Sequence, residues 1–397
     1  MAAETLIEWT TRRYADGTVV QGATFNPWLG CTKVSPACTH CYAERDNVRR
    51  GTLAWGPGGT RLMTGDGYWR DAEGWARRVP AGRRKLVFCA SQADVGEEWD
   101  GPLMTFKGEA WFHRAGRPDF LVPVACSPRS DQPPSAERWA EVKAAAAAEG
   151  LYPATMADAR RRLFRLMGYT APALDWLVLT KRPEVLERLW PALQAEWRGA
   201  VSRRMADTRA ADQYRGLTAD RYAPAARFYD GSGLMPNVWF GVTVESPAYL
   251  HRLETAARVP AVRRFVSAEP LVASLSITPH LTAPPAFDAD GRPAAPAGRP
   301  GINWVITGGE SGPAARPAPA DWYRGLRDEA FAAGVPFFFK QWGEEIDCRQ
   351  MTPEQEAAAA PRGETVTHGT HFVRLGKKAA GRLLDGVQHH DIPDSVL

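Results

Sequence analysis

The sequence predicts an α/β fold, a complete or partial (β/α) TIM-like barrel with inserted loops and a small C-terminal cap. Three observations carry this: short apolar runs recur along the chain, each ends in a polar or charged tip, and helix-forming stretches separate several of them. Parallel strands covered by helices read as continuous apolar runs, and their polar side chains can converge only beyond the strand ends. In barrels the working residues come from the C-terminal ends of several strands. With about seven strand candidates the count suits a complete or partial barrel. A doubly wound open sheet is the competing architecture.

Taken in order, Ile7-Glu8-Trp9 and Thr24 to Trp28 offer the first strand, which feeds a cysteine-bearing loop; Ala43 to Arg50 follows as a charged helix. The stretch from there to Gly82 is rich in Gly and Trp and has no clear period. Lys85 to Ala90 reads as a buried strand ending at Ser91 and Asp94. Residues 101–134, rich in Pro, Gly and Arg, read as an insertion, and Ala136 to Met167 reads as helical, with Ser135 as N-cap and a hinge near Gly150 to Pro153. Trp176 to Leu179 then ends in Lys181-Arg182-Pro183, and Val238 to Phe240 leads to Thr243 and Glu245, with a helix from Tyr249 to Ala257. Arg264 to Val266 ends at Glu269, Trp304 to Ile306 ends at Gly308-Gly309-Glu310, and Val335 to Phe339 ends at Lys340-Gln341-Trp342. The barrel therefore occupies 1–350, with insertions at about 51–82, 101–150, 190–235 and 275–300. Residues 351–397 form the cap, with a strand at Phe372 to Leu375 followed by a short helix and turn.

Composition limits the function classes. The chain has 397 residues, 44% hydrophobic and 24% charged, enough for a sizeable core. No run of eighteen apolar residues and no basic-then-apolar leader occurs, so a cytoplasmic protein with no membrane span is expected. The net charge of +4 weakly favours a polyanionic partner. None of the 8 histidines follows an apolar run, which argues against a barrel hydrolase built on histidine ligands. Cys89, Cys126 and Cys348 are scattered and are expected as small buried apolar residues.

The remaining thiols are not scattered. Cys31, Cys38 and Cys41 stand within eleven residues as C-x6-C-x2-C, and a disulfide would leave one of them over. Three thiolates on one short loop form a metal site. A structural zinc wants four closed ligands, and neither a second Cys pair nor His40, wedged between two ligands, supplies the fourth. An iron-sulfur cubane normally takes four thiolates, so three leave one iron with an open position.

With Tyr42 directly after the last cysteine, the loop resembles the cluster loop of radical S-adenosylmethionine enzymes, although the usual spacing there is C-x3-C-x2-C. The set Glu8-Trp9, Asn26-Pro27-Trp28, Gly30-Cys31, Cys38-x2-Cys41-Tyr42-Ala43-Glu44, Leu179 to Pro183, Gly241 to Glu245, Ser267 to Leu271, Gly308 to Gly312 and Lys340 to Gly343 resembles the phage-associated three-Cys-motif family, which is related to those enzymes. Residues 51–82, 101–150, 190–235 and 275–300 lie outside the resemblance.

The resemblance implies a barrel of radical S-adenosylmethionine type. It implies a [4Fe-4S] cluster on Cys31, Cys38 and Cys41, S-adenosylmethionine on its open iron, and an external electron donor. Reductive cleavage of the cofactor would give a 5′-deoxyadenosyl radical that takes hydrogen from a substrate, for which a nucleic-acid base or nucleotide, in DNA modification or repair, is the candidate. Ser91 and Asp94 are the candidates for the cofactor's amino group. Glu245 and Glu269 are placed to accept from a ribose hydroxyl or an ammonium, and Lys181 with Arg182 to hold a carboxylate or phosphate. Gly308 and Gly309 would let a ligand approach the backbone beside Glu310. Lys340, directly after three phenylalanines, must meet an anion: Glu269, Glu310 or a ligand. Glu310 and Lys340 are the candidate catalytic residues. The competing reading is a zinc-stabilised, non-catalytic binding protein, in which strand-end acids and lysines pair with each other.

Overall fold

The computed structural model of the protein describes residues 5, 7–51, 55–115, 117–127, 132–214, 234–284, 301–359 and 363–395. At its centre is a seven-strand sheet whose pairings are all parallel and whose strand order follows the chain: β1 (Ala23–Phe25), β2 (Lys85–Cys89), β3 (Leu174–Thr180), β4 (Val238–Thr243), β5 (Arg264–Ala268), β6 (Val305–Thr307) and β7 (Phe337–Phe339). That order has no reversal, so the switch point of a doubly wound sheet does not exist here. The sheet instead curls into a half-barrel, and β1 and β7 do not pair, which makes the barrel partial.

Helix α1 (Tyr42–Arg50) lies beyond the strand ends, where Tyr42 donates to the Ser91 carbonyl and Asn47 to Gln92. Helices α2 (Asp66–Arg78), α4 (Met156–Tyr169), α5 (Pro183–Tyr214), α6 (His251–Arg258) and α7 (Ala320–Ala332) cover the convex face, and α3 (Ala136–Ala148) packs on a side sheet. Helix α5 shows the logic: Pro183 opens it, and Leu186, Trp190, Leu193, Trp197 and Val201 recur every three or four residues and are all buried in the core outside the sheet. Helix α4 begins at a capping box in which the Thr155 side chain and Asp158 satisfy each other's backbone N–H groups. Ser135 caps α3, accepting from the Arg138 N–H as the sequence predicts.

The concave face is filled rather than hollow. Alternate residues of the same strands, among them Phe88, Trp239, Phe265 and Phe338, point inward and, with Trp304 just before β6, pack around Trp9. The Trp9 ring meets Phe88 at 4.7 Å and Trp304 at 6.1 Å, both edge-on. Much of the tryptophan load is therefore structural. Beneath this core, at the N-terminal ends of the strands, Arg84 directs Nε and Nη2 to Asp175 Oδ1 at 2.9 and 2.8 Å. A C-terminal strap, 389–395, seals the same end. Trp304 Nε1 donates to the Asp391 carbonyl at 2.9 Å, Arg12 donates to the Pro393 carbonyl at 3.1 Å, and Ser395 donates to Asp175.

Two stretches read as insertions build a side sheet instead. Its strands are Trp28–Leu29, Arg61–Met63, Leu103–Met104, Glu109–Arg114, Arg117–Ala125 and Leu151–Pro153. The span 51–82 also holds helix α2, whose Trp69, Ala72 and Trp75 pack on the central sheet. Where the sequence suggests a hinge near Gly150, Leu151–Pro153 pairs antiparallel with Glu109–Arg114. Residues 215–233 and 285–300, parts of the other two expected insertions, lie outside the described residues. The cap is a three-strand antiparallel sheet of Glu345–Asp347, Thr370–Arg374 and Glu364–Thr367. Among the described residues no helix is long and apolar enough to cross a membrane.

Candidate functional site

The cysteine loop leaves β1 and crosses the C-terminal ends of the strands. At its start Gly30 has φ +107°, and a Cβ there would stand 2.6 Å from the Thr60 carbonyl oxygen, so the loop needs glycine to turn. Thr32, next to Cys31, has all three polar groups engaged. Its N–H donates to Glu97 at 2.8 Å, its hydroxyl accepts from Arg61 at 2.9 Å, and its carbonyl accepts from Arg182 at 2.7 Å. Arg61 and Glu97 form a two-pronged pair, 2.7 Å in both arms, with both side chains out of solvent. The indole of Trp99 lies 4.3 Å from the Arg61 guanidinium.

Asp94 organises the neighbouring tip. Its Oδ1 accepts from Gly96 N at 2.8 Å and the Thr180 hydroxyl at 2.5 Å; its Oδ2 accepts from Lys181 N at 3.0 Å and Arg182 at 2.8 Å. The carboxylate proposed for a cofactor amine is thus fully engaged within the protein. Arg182 also approaches Cys31 Sγ at 3.7 Å. Burial works to lower the Arg182 pKa, but Asp94, the Cys31 sulfur and Glu97 outweigh it and the pKa is raised. Burial first, then Asp94 and Glu97, push the Cys31 thiol up to about 12 against the pull of Arg182.

The other side of the loop is held from β6. Glu310 accepts from Arg316 through Nη2 at 2.7 Å and through Nε and the backbone N–H at 2.8 Å each, and His40 Nδ1 lies 3.5 Å from the same carboxylate. Arg316 reaches on to the Pro36 carbonyl at 3.0 Å. Burial raises the Glu310 pKa, yet these donors prevail and hold it below the usual range.

Between the two sides lies the mouth. Lys340 pairs with Glu269, Gln341 Nε2 donates to the other Glu269 oxygen at 3.0 Å, and the Lys340 ammonium stands 5.5 Å from the Trp9 ring centroid. Of the three anions offered for Lys340, the structure places it on Glu269. Glu245 is fully buried, with Oε2 accepting from Arg252 at 3.0 Å and Oε1 without a hydrogen-bond partner among the described residues. Ser91 Oγ lies 3.2 Å from both amide atoms of Asn26, and its carbonyl accepts from the Tyr42 hydroxyl at 2.8 Å. Lys181 is half-buried and its ammonium has no polar partner among the described residues. Gly308 packs against Lys340, and Gly309 against the Trp342 carbonyl, so the backbone approach that these glycines permit is made by the chain itself.

Cys31, Cys38 and Cys41 are all half-buried and free of disulfides. Their chemistry, three soft sulfur donors on one loop, fits a thiolate-held metal centre. Their positions are not those of an assembled one: among the described residues no group of three or more His, Cys, Asp or Glu side chains could hold a metal ion. Cys89 and Cys126 are buried as expected, and Cys348 is half-buried on the cap.

A family model described as "Protein of unknown function (DUF5131)" matches residues 4–99 and 124–393. The chain belongs to this family. The DUF5131 match breaks only at 100–123, within the Pro- and Arg-rich stretch; 51–82, 190–235 and 275–300, read as outside the resemblance, fall within its span. No curated protein and no solved structure matches the chain. Sequence reasoning missed Arg61, Glu97, His40 and Arg316 as parts of the site. Only Arg61 carries a sequence signal, a charged residue leading directly into the apolar pair Leu62-Met63; Glu97, His40 and Arg316 carry none.

Proposed function

We propose that the protein is an iron-sulfur, S-adenosylmethionine-dependent radical enzyme of the phage-associated three-Cys-motif kind, acting on a nucleic-acid base or nucleotide. One observation carries the reading: three unpaired thiols on a single loop are held across the mouth of a parallel half-barrel, where the strand-end polar residues gather. Cys31, Cys38 and Cys41 would hold a [4Fe-4S] cluster, which supplies to S-adenosylmethionine an electron taken from an external donor. The Lys181 ammonium, without a polar partner among the described residues, would be available to the carboxylate or phosphate of a bound molecule. Glu269 is the carboxylate for a ribose hydroxyl or an ammonium, which it would accept by sharing Gln341 and Lys340. Trp9 floors the mouth beneath Lys340 and keeps water out of the core below.

The test is protein purified and reconstituted without oxygen, with iron and sulfide analysis and an EPR spectrum of the reduced state. About four irons per chain are expected, with a spectrum altered by S-adenosylmethionine and lost in Cys38→Ala. Stoichiometric zinc with no iron uptake would overturn the reading. The zinc-stabilised binding protein would then stand in its place, and one feature favours it: Asp94, Glu245, Glu269 and Glu310 are each paired with a basic side chain.

A further inference from the structure

We propose that Glu310 and Arg316 are positioning residues for the cysteine loop: with Arg61, Glu97 and Arg182 on the opposite side they form a two-sided clamp that fixes Cys38 and Cys41 relative to Cys31. The inference rests on the metal-centre reading for its purpose, but not for its geometry.

Six residues separate Cys31 from Cys38. Fixing each backbone residue of such a gap costs about 1–2 kcal/mol of conformational entropy, and the gap contains only one short 3-10 turn, Pro36–Cys38. Something outside the loop must hold it. At Thr32 the holder is the Arg61, Glu97 and Arg182 set, three contacts to one residue. Four residues later it is Arg316, which grips the Pro36 carbonyl while its own fork and backbone N–H are spent on Glu310. His40, between Cys38 and Cys41, adds a further link to the same carboxylate.

Both Glu310 oxygens are engaged: Oε1 takes Arg316 Nη2, and Oε2 takes two Arg316 donors and faces His40. These contacts tie Glu310 to the loop.

The experiment is timed alkylation by iodoacetamide, resolved by cysteine with mass spectrometry, on reduced protein stripped of metal by a chelator. Glu310→Gln and Arg316→Ala are expected to raise the rates at Cys38 and Cys41 about ten-fold by freeing that side of the loop. Cys89 and Cys126, buried in two different cores and in contact with neither Glu310 nor Arg316, should stay protected and serve as the folding reference. Arg316→Lys keeps the charge but not the planar fork, so it is expected to behave like Arg316→Ala. Should a variant raise the reference cysteines too, it has unfolded globally and Arg316→Lys decides. Wild-type rates at Cys38 and Cys41 in these variants, or full restoration by Arg316→Lys, would overturn the clamp. Iron uptake measured in parallel separates the two readings. Altered alkylation with no iron in the wild type removes the cluster and leaves the clamp, whereas iron in the wild type with unaltered alkylation does the reverse.

Discussion

Arg61→Ala is expected to cost the fold about 3–5 kcal/mol, because it strands the Glu97 carboxylate in the interior without a counter-charge. Neither side chain of the pair reaches solvent, and Arg61 also donates to the Thr60 and Gly56 carbonyls at 2.8 and 3.3 Å. Removing the guanidinium therefore leaves several acceptors unsatisfied in addition to the charge, and opens a void against Trp99. Urea unfolding of Arg61→Ala, Glu97→Ala and the double variant measures this. The double variant is expected to lose less than the sum of the singles, since it removes the uncompensated charge along with its partner. Additive losses would mean that the two side chains contribute independently and that the pair is not a unit.

Gly309→Ala is expected to cost about 3 kcal/mol, at the upper end for overpacking. The new Cβ would lie 1.7 Å from the Trp342 carbonyl oxygen and 2.4 Å from its carbon. Those are backbone atoms, and they have little room to retreat: Trp342 N donates to the Gly381 carbonyl at 3.1 Å, and its indole Nε1 donates to the Leu383 carbonyl at 2.9 Å. The strand tips of β6 and β7 would be forced apart, taking Lys340 away from Glu269. Thermal unfolding gives the loss, and Gly308→Ala is the control. There the nearest atom is a Lys340 side-chain carbon at 3.2 Å, and a small shift of a few tenths of an ångström accommodates the methyl group. Equal losses at the two positions would contradict the crossing of the two backbones at Gly309.

The strands of the half-barrel were legible because burial on both faces writes itself as uninterrupted apolar runs, as in Lys85 to Ala90 or Phe337–Phe339. Helix α2 was not. Gly67 and Gly74 dilute its helical character, and the apolar stripe of Trp69, Ala72 and Trp75 is only three residues long. Short strands such as Arg61–Met63 and Leu103–Met104 carry too few residues to show alternation, so the side sheet read as insertion. At the site, the thiols were visible because three cysteines in eleven residues need no partner to be noticed. Lys340 was correctly seen to require an anion, because a cation that ends a buried strand cannot go unpaired. The clamps were not visible. Arg61 and Glu97 are separated by 36 residues, and His40 and Glu310 by 270, and nothing local in a charged residue tells which distant charge it will meet.

The C-terminal strap has a consequence for how the molecule behaves among its own copies. An unclosed parallel sheet offers the bare backbone of its last strand to any chain that can line up beside it. At β7 that position is already taken: Phe339 N donates to the His389 carbonyl at 3.1 Å, Asp391 N donates to the Phe337 carbonyl at 3.3 Å, and Phe338 and His390 form an antiparallel bridge. At that edge the strap does what ring closure does for a full barrel, leaving no free strand for a neighbouring molecule to extend.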